Sequence, residues 1–368
     1  MRKIPFYRAS EIKNLIEINR ANFYDNLEEA PLKLESKFKE LTNTNYTLSV
    51  ANSSLALHLA LLAIELKRGD KVVCAINSYV DVPEAIRHFD SEPIFVDIEP
   101  RSYHLDIDAL KNSIKQNRSK KLRAIIVSHF AGLKQDIAKI KEIAKENNLI
   151  IIEDFTDAPI TGSKIKVESD IAIFSLNYRF DNNLKGAIIG FNSEEHFKRG
   201  KLLRNHGLIY PNRELSYIYD VVDVGYDYRL DNINAFFLEK LLHQRELLLR
   251  QKREIANIYF EELKDTPHIT LPIRRDDHLY SYFIIEIEKN RDAFARELIS
   301  RGVEVKLHYI PLNFTSYYKK KYNLKVTSFP NALNIYQKIL SLPCNGKMSK
   351  DEAKYVTKVV KEVARNHI

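Results

Sequence analysis

Asn52-Ser53-Ser54 stands just ahead of a long apolar stretch, Leu55 to Leu66. Small hydroxyl residues at a helix start offer free backbone N–H groups and hydroxyls, which suit a phosphate. The same triplet also reads as an ordinary helix cap. Ile151-Ile152-Glu153-Asp154 ends an apolar run on two carboxylates. Ligands of open α/β sheets bind at that end of a strand, and a second helix cap is the plainer alternative. His206 and His308 titrate near neutrality, so each suits acid–base work or a purely structural place. Asp154, Asp157 and Asp181 would raise one another's pKa, or invite a cation, if one pocket held all three. No ligand spacing accompanies them, so no metal site is expected.

Those residues need a scaffold. Lys71-Val72-Val73-Cys74-Ala75, Pro93-Ile94-Phe95-Val96-Asp97, Ala124-Ile125-Ile126-Val127-Ser128 and Leu149 to Glu153 read as strands. Their Val/Ile runs are continuous, not alternating, as in a parallel sheet covered on both faces. Helical patterns at Leu55 to Leu66 and Ile137 to Asn147 lie between them, which predicts a doubly wound α/β fold. The C-terminal third differs. A charged amphipathic helix from about Leu238 to Leu263 is followed by a strand, Ser281 to Ile287, and a helix, Arg291 to Arg301. A second strand, Val303 to Leu307, and a last helix, Lys350 to Arg365, complete a smaller α+β unit. The boundary is placed near residue 240, giving a large domain over 1–240 and a small one over 241–368.

The 368 residues carry a net charge of +8, spread along the chain without a nucleic-acid motif. No nucleic-acid partner is expected; an anionic small ligand is compatible. Two cysteines, Cys74 and Cys344, exclude a disulfide framework. No apolar run is long enough to span a bilayer, and the N-terminus lacks an apolar leader. The expectation is a cytoplasmic protein with no membrane contact.

Several segments, taken in order, resemble the DegT-type nucleotide-sugar aminotransferases, which are pyridoxal-phosphate enzymes of fold type I. Asn52-Ser53-Ser54-Leu55-Ala56-Leu57-His58-Leu59-Ala60-Leu61 is similar to S-G-T-x-A-L-H-L-A-L. Pro93 to Asp97, Tyr103 to Asp106, Ser128 to Gly132 and Glu153-Asp154 are similar to P-x-F-V-D, Y-N-x-D, V-H-x-x-G and E-D-A-A-x-A. Leu203 to Gly207 matches L-R-N-H-G, and Gly225 to Leu230 resembles G-Y-N-Y-R-M. His308 to Leu312 and Leu340 to Pro343 resemble H-Y-P-P-L and L-S-L-P. The resemblance implies an aspartate-aminotransferase-like fold: a large domain with a mostly parallel seven-stranded sheet, plus the small α+β domain. It implies a homodimer, with Gly225 to Leu230 and Ile233 to Leu242 near the interface. It implies pyridoxal phosphate as cofactor and a nucleotide-sugar-like small molecule as partner. Ser53, Ser54 and Ser175 fall at cofactor contacts, Tyr79 at the ring's stacking partner, and Asp154 at its pyridine nitrogen.

The departures fall on that chemistry. The family's aldimine lysine falls on Phe180, which has no nucleophile; its neighbour Arg179 stays protonated. Lys185 is the one lysine in the altered segment, five residues later. Asp157 stands where the family packs Gln or His over the cofactor ring. Asp227 replaces an Asn that reaches a phosphate across the dimer. Three readings follow. The chain is a homologue of nucleotide-sugar or surface-polysaccharide biosynthesis that binds a sugar nucleotide or similar anion without aldimine chemistry. Or it is an active aminotransferase using Lys185, with His206 and His308 as further catalytic candidates. Or it is a non-catalytic partner of an active paralogue.

Overall fold

A computed structural model describes residues 3–8, 27–158, 165–176, 184–212, 214–215, 217–242 and 245–366. Its centre is a seven-stranded sheet: β1 (Tyr46–Val50), β2 (Lys71–Ala75), β3 (Glu92–Val96), β4 (Leu122–Ser128), β5 (Ile150–Asp154), β6 (Ile171–Ser175) and β7 (Ala187–Phe191). The strand order is β1-β7-β6-β5-β4-β2-β3. Pairings from β3 through β6 are parallel, and β7 runs antiparallel to both β6 and β1. The expected mostly parallel sheet is thus present. Strands β6 and β7 are buried at every residue, as expected of a sheet with helices on both faces.

Those helices are α1 (Ala30–Thr42), α2 (Ser53–Ala63), α3 (Asp81–Arg87), α4 (Ile107–Gln116), α5 (Ala138–Asn147), α6 (Glu194–Leu203) and α7 (Asn232–Leu242). Local chemistry sets their ends. Asn52 caps α2 by accepting from Leu55 N at 2.9 Å, and Asp106 caps α4 by accepting from Ala109 N at 2.8 Å. A short ribbon, β8 (Leu208–Ile209) with β9 (Asp220–Val221), follows α6. Beside it two segments cross closely. A Cβ on Gly207 (φ +68°) would lie 1.9 Å from the Asp223 carbonyl oxygen, so only glycine fits.

The C-terminal unit holds α8 (Arg245–Leu263), β10 (Ile269–Thr270), β11 (Phe283–Ile287), α9 (Arg291–Ser300), α10 (Ser316–Lys321), α11 (Pro330–Lys338), β12 (Ile339–Leu342) and α12 (Lys350–Arg365). Helix α12 starts on a reciprocal Ser349–Glu352 capping box. One sequence expectation gains detail here and another changes. The stretch read as a helix from Leu238 to Leu263 is helical on both sides of residues 243–244, which lie outside the described residues, and its two ends pack into different cores. Leu238 of α7 packs with Leu34 and Phe38, whereas Ile255 and Tyr259 of α8 pack with Phe283 and Val356. Val303 to Leu307 forms no strand but two single bridges, Ile4–Val303 and Lys306–Ser341, because its pairing partner changes within four residues. Ile4 is fully buried in this unit, so the N-terminal segment packs on the C-terminal one. Among the described residues no helix is long and apolar enough to cross a membrane.

Two buried histidines lie near the junction of the units. His104 Nε2 donates to the Leu133 carbonyl at 2.9 Å, and His278 Nδ1 accepts from Tyr280 N at 2.9 Å. Burial, reinforced by neighbouring His129, lowers His104 to about 4. Burial, reinforced by His104, lowers His278 to about 3. Both rings are therefore neutral in the fold, while in the unfolded chain they take up protons near pH 6.5. Protons then favour the unfolded state, and stability held above pH 6.5 is lost as pH falls toward about 4. The urea midpoint is expected to drop steadily across that window. Combining His104→Gln, which keeps an Nε2-like donor, with His278→Asn, which keeps an Nδ1-like acceptor, should flatten the drop; an unchanged slope assigns it to other groups.

Candidate functional site

The carboxyl ends of β2, β4 and β5 face one cleft between the two units. The β2 end leads into Asn77, Ser78 and Tyr79, a turn held by Ile76 N to Val96 O at 2.9 Å. Tyr79 is about half exposed, at 47%. The β4 end brings Ser128 and the β5 end brings Asp154. Asp154 is held in place: its Oδ1 accepts from Thr156 N at 2.9 Å and its Oδ2 from Ser128 Oγ at 3.4 Å.

Glu153, one residue earlier, is buried and turns to a different partner. Its Oε1 lies 3.0 Å from His129 Nε2. His129 Nδ1 accepts from Gln135 N at 3.0 Å, which leaves Nε2 as the donor to the carboxylate. Burial works against ionising Glu153, but the hydrogen bond from His129 outweighs it, and its carboxyl sits below the ordinary value. Of the adjacent carboxylates, only Asp154 lines the cleft.

Asp157 closes the cleft from the large unit. Tyr282 donates to its Oδ1 at 2.9 Å, and Tyr309 lies 3.2 and 3.1 Å from its two oxygens. The two tyrosine hydroxyls are 3.0 Å apart. Both tyrosines belong to the C-terminal unit, so this carboxylate clasps the units together. The His308–Tyr309 peptide is cis. His308 is buried behind the clasp, stacked on Tyr282 at 3.6 Å, with Nδ1 2.9 Å from Ser341 Oγ. It orients Tyr282 and does not line the cleft.

The other sequence candidates are more scattered. Ser53 and Ser54 begin α2, and Ser54 Oγ donates to Asp81 Oδ2 at 3.2 Å. Ser175 is buried at the end of β6. His206 is exposed in the turn after α6, and its N–H donates to the Tyr226 carbonyl at 3.1 Å. Asp227 is exposed and gripped by Arg229 through two bonds of 2.8 and 3.1 Å; that bond, then the charge, keeps its carboxyl below the ordinary range. Lys185 is exposed just before β7 and does not line the cleft. Phe180, Arg179 and Asp181 lie outside the described residues. Among the described residues no group of three or more His, Cys, Asp or Glu side chains is arranged to hold a metal ion.

Sequence reasoning singled out neither Asn77 nor the Tyr282–Tyr309 pair. Tyr309 sits inside the His308 to Leu312 motif and Asn77 two places before Tyr79, so proximity to those segments was the only signal.

Asp81, Asp154 and Asp157 line the cleft, and among the described residues no Lys, Arg or His joins them. This tests pyridoxal phosphate against the site. Asp154 suits a pyridine nitrogen and Tyr79 suits a flat ring. The phosphate fares worse. Asp81 occupies the Ser54 hydroxyl at the helix start, and a carboxylate about 4 Å from a phosphate charge costs ~1–4 kcal/mol. No lysine among the described residues lines the cleft to make an imine. The described residues match the ring and fail the rest of the group.

Comparison with known proteins agrees with the fold. A model of the DegT/DnrJ/EryC1/StrS aminotransferase family matches residues 5–361. A dTDP-3-amino-3,6-dideoxy-alpha-D-galactopyranose transaminase of Aneurinibacillus thermoaerophilus is 31% identical over 89% of this chain and 88% of its own. A GDP-perosamine synthase of Escherichia coli O157:H7 is 28% identical over 90% and 89%. A putative sugar aminotransferase of Streptococcus pneumoniae, solved in its PMP form, superposes with a TM-score of 0.87 at 21% identity, covering both chains fully.

If Asp157 is the clasp, Asp157→Ala removes the shared acceptor and leaves the two tyrosine hydroxyls only each other. Urea unfolding should then show a loss of about 1–3 kcal/mol, with Asp157→Asn, which keeps an acceptor, losing less. Equal stability of all three proteins would remove the clasp.

Proposed function

Because the chain belongs to the DegT/DnrJ/EryC1/StrS aminotransferase family, we propose that it binds a nucleotide sugar, in surface-polysaccharide or related biosynthesis, without pyridoxal-phosphate aldimine chemistry. One observation carries the reading. The cleft that should receive the cofactor is lined by three carboxylates, with Asp157 already bound to Tyr282 and Tyr309, and no lysine among the described residues reaches it. Phe180 at the family's lysine position points the same way. The named relatives act on dTDP- and GDP-linked sugars by their names, which supports the ligand class. The chain then either runs a different reaction on such a ligand or lends its site to a partner.

The reading includes a homodimer. Exposed apolar side chains crowd the β8–β9 ribbon and its flanks: Tyr217 at 75%, Val224 at 81%, with Tyr210, Tyr219, Val221 and Ile233. A patch of that kind on a folded chain favours association, and a second copy of the chain is the proposed cover.

Two measurements test these statements. After incubation with pyridoxal phosphate and dialysis, no band near roughly 410–430 nm should be fixed by borohydride, in the parent or in Lys185→Ala. A covalently labelled lysine would restore the aminotransferase reading, and its peptide would identify the residue. In sedimentation the parent should run as a dimer and Val224→Asp as a monomer. A parent that is monomeric alone, and pairs only with an aminotransferase paralogue, would favour the partner reading.

A further inference from the structure

Asn77 is only 3% exposed, yet neither its side-chain oxygen nor its nitrogen has a partner. Ser78, 5% exposed, carries an unpartnered hydroxyl. Both line the cleft beside half-exposed Tyr79. Folding leaves very few buried polar groups unpaired, since each costs about 1–3 kcal/mol. Two neighbouring ones at a cleft wall mark where a ligand makes its contacts.

The chemistry of that ligand follows from what the wall asks for. An amide needs one donor and one acceptor from its partner, and exchanging its O and N ends leaves that need unchanged. A phosphate or carboxylate offers acceptors only and leaves one end of Asn77 unpaired. A hydroxyl both gives and accepts, so a vicinal pair meets both ends. Asp154 and Asp157 on the same cleft accept only, which again calls for donors. The Tyr79 ring adds a flat apolar face. We propose that the position this fold reserves for a flat cofactor ring is, in this chain, a subsite for a polyhydroxylated glycosyl ring, held by Asn77 and Ser78 and stacked on Tyr79. The phosphates of the ligand lie outside this wall, where no described basic side chain stands. This rests on the nucleotide-sugar reading above and adds which end of the ligand enters the cleft.

The test uses dTDP-glucose, GDP-mannose and UDP-N-acetylglucosamine, each beside its nucleoside diphosphate, on the full-length protein. Calorimetry should show at least one nucleotide sugar binding tenfold or more tighter than its diphosphate. Saturation-transfer NMR should mark its glycosyl protons. Asn77→Leu should reduce that affinity to the level of the diphosphate without lowering the melting temperature, because the amide has no partner in the free protein. Tyr79→Ser, a half-exposed change, should weaken binding in the same direction if Asn77→Leu fails to fold. Equal affinity for sugar and diphosphate, or variants that bind as the parent does, overturns the glycosyl subsite and leaves the nucleotide-sugar reading standing. Binding of none of the six compounds overturns that reading and the subsite with it. A borohydride-fixed cofactor band overturns the absence of aldimine chemistry.

Discussion

A parallel sheet covered on both faces has almost nowhere to keep a polar group. Its strands must be apolar along their length, and the polar ends of the chain's chemistry collect where the strands stop. That constraint places Ser128 and Asp154 side by side at the ends of β4 and β5, and Asn77 to Tyr79 after β2. Glu153 is the exception that shows the cost. It is buried in the sheet, and the fold supplies His129 as its hydrogen-bond partner, with the ring's other nitrogen fixed by the Gln135 amide.

The second constraint lies across the cleft. Two units, each with a core of its own and joined by a shared apolar cluster that includes Phe130 and Tyr282, also meet over Asp157, whose carboxylate accepts from tyrosines of the C-terminal unit. A carboxylate bonded by phenols is well satisfied, and it leaves the cleft acidic on its large-domain side. His308, an attractive acid–base candidate as a residue type, becomes the stacking support of Tyr282. His206 and Asp227 lie instead with the turn and Arg229 on the exposed side near the ribbon, where the tight Gly207 crossing sets the backbone.

The departures from the family pattern therefore fall into a coherent group. The scaffold segments are kept: the capped start of α2, the Asp154 strand end, and the glycines that let residues 203–207 pass residues 223–225. The residues that changed, Phe180, Asp157 and Asp227, stand where the family resemblance puts groups for an imine, a cofactor ring and a phosphate. The acidic, donor-seeking wall that results suits hydroxyls better than a phosphate.

The sequence by itself determined β2 to β5 of the sheet. Uninterrupted Val/Ile runs between helical periods are a local signal, and so is the cap at Asn52; the caps Asp106 and Ser349 emerged only with the structure. It also placed Asp154 at a strand end, because strand ends are visible as the point where an apolar run turns polar. It did not show that the two ends of the 238–263 stretch serve different cores, since both are amphipathic and only packing tells them apart. Nor did it show Val303 to Leu307 as two bridges, because a β-branched run looks the same whatever its pairing partner. The site was legible only in part. Tyr282 and Tyr309 reach Asp157 from 125 and 152 residues away, and the unpaired state of Asn77 exists only once the cleft has closed around it. Periodicity and spacing report neighbours along the chain. Hydrogen-bond partners and burial are properties of neighbours in space, and the tertiary structure alone decides them.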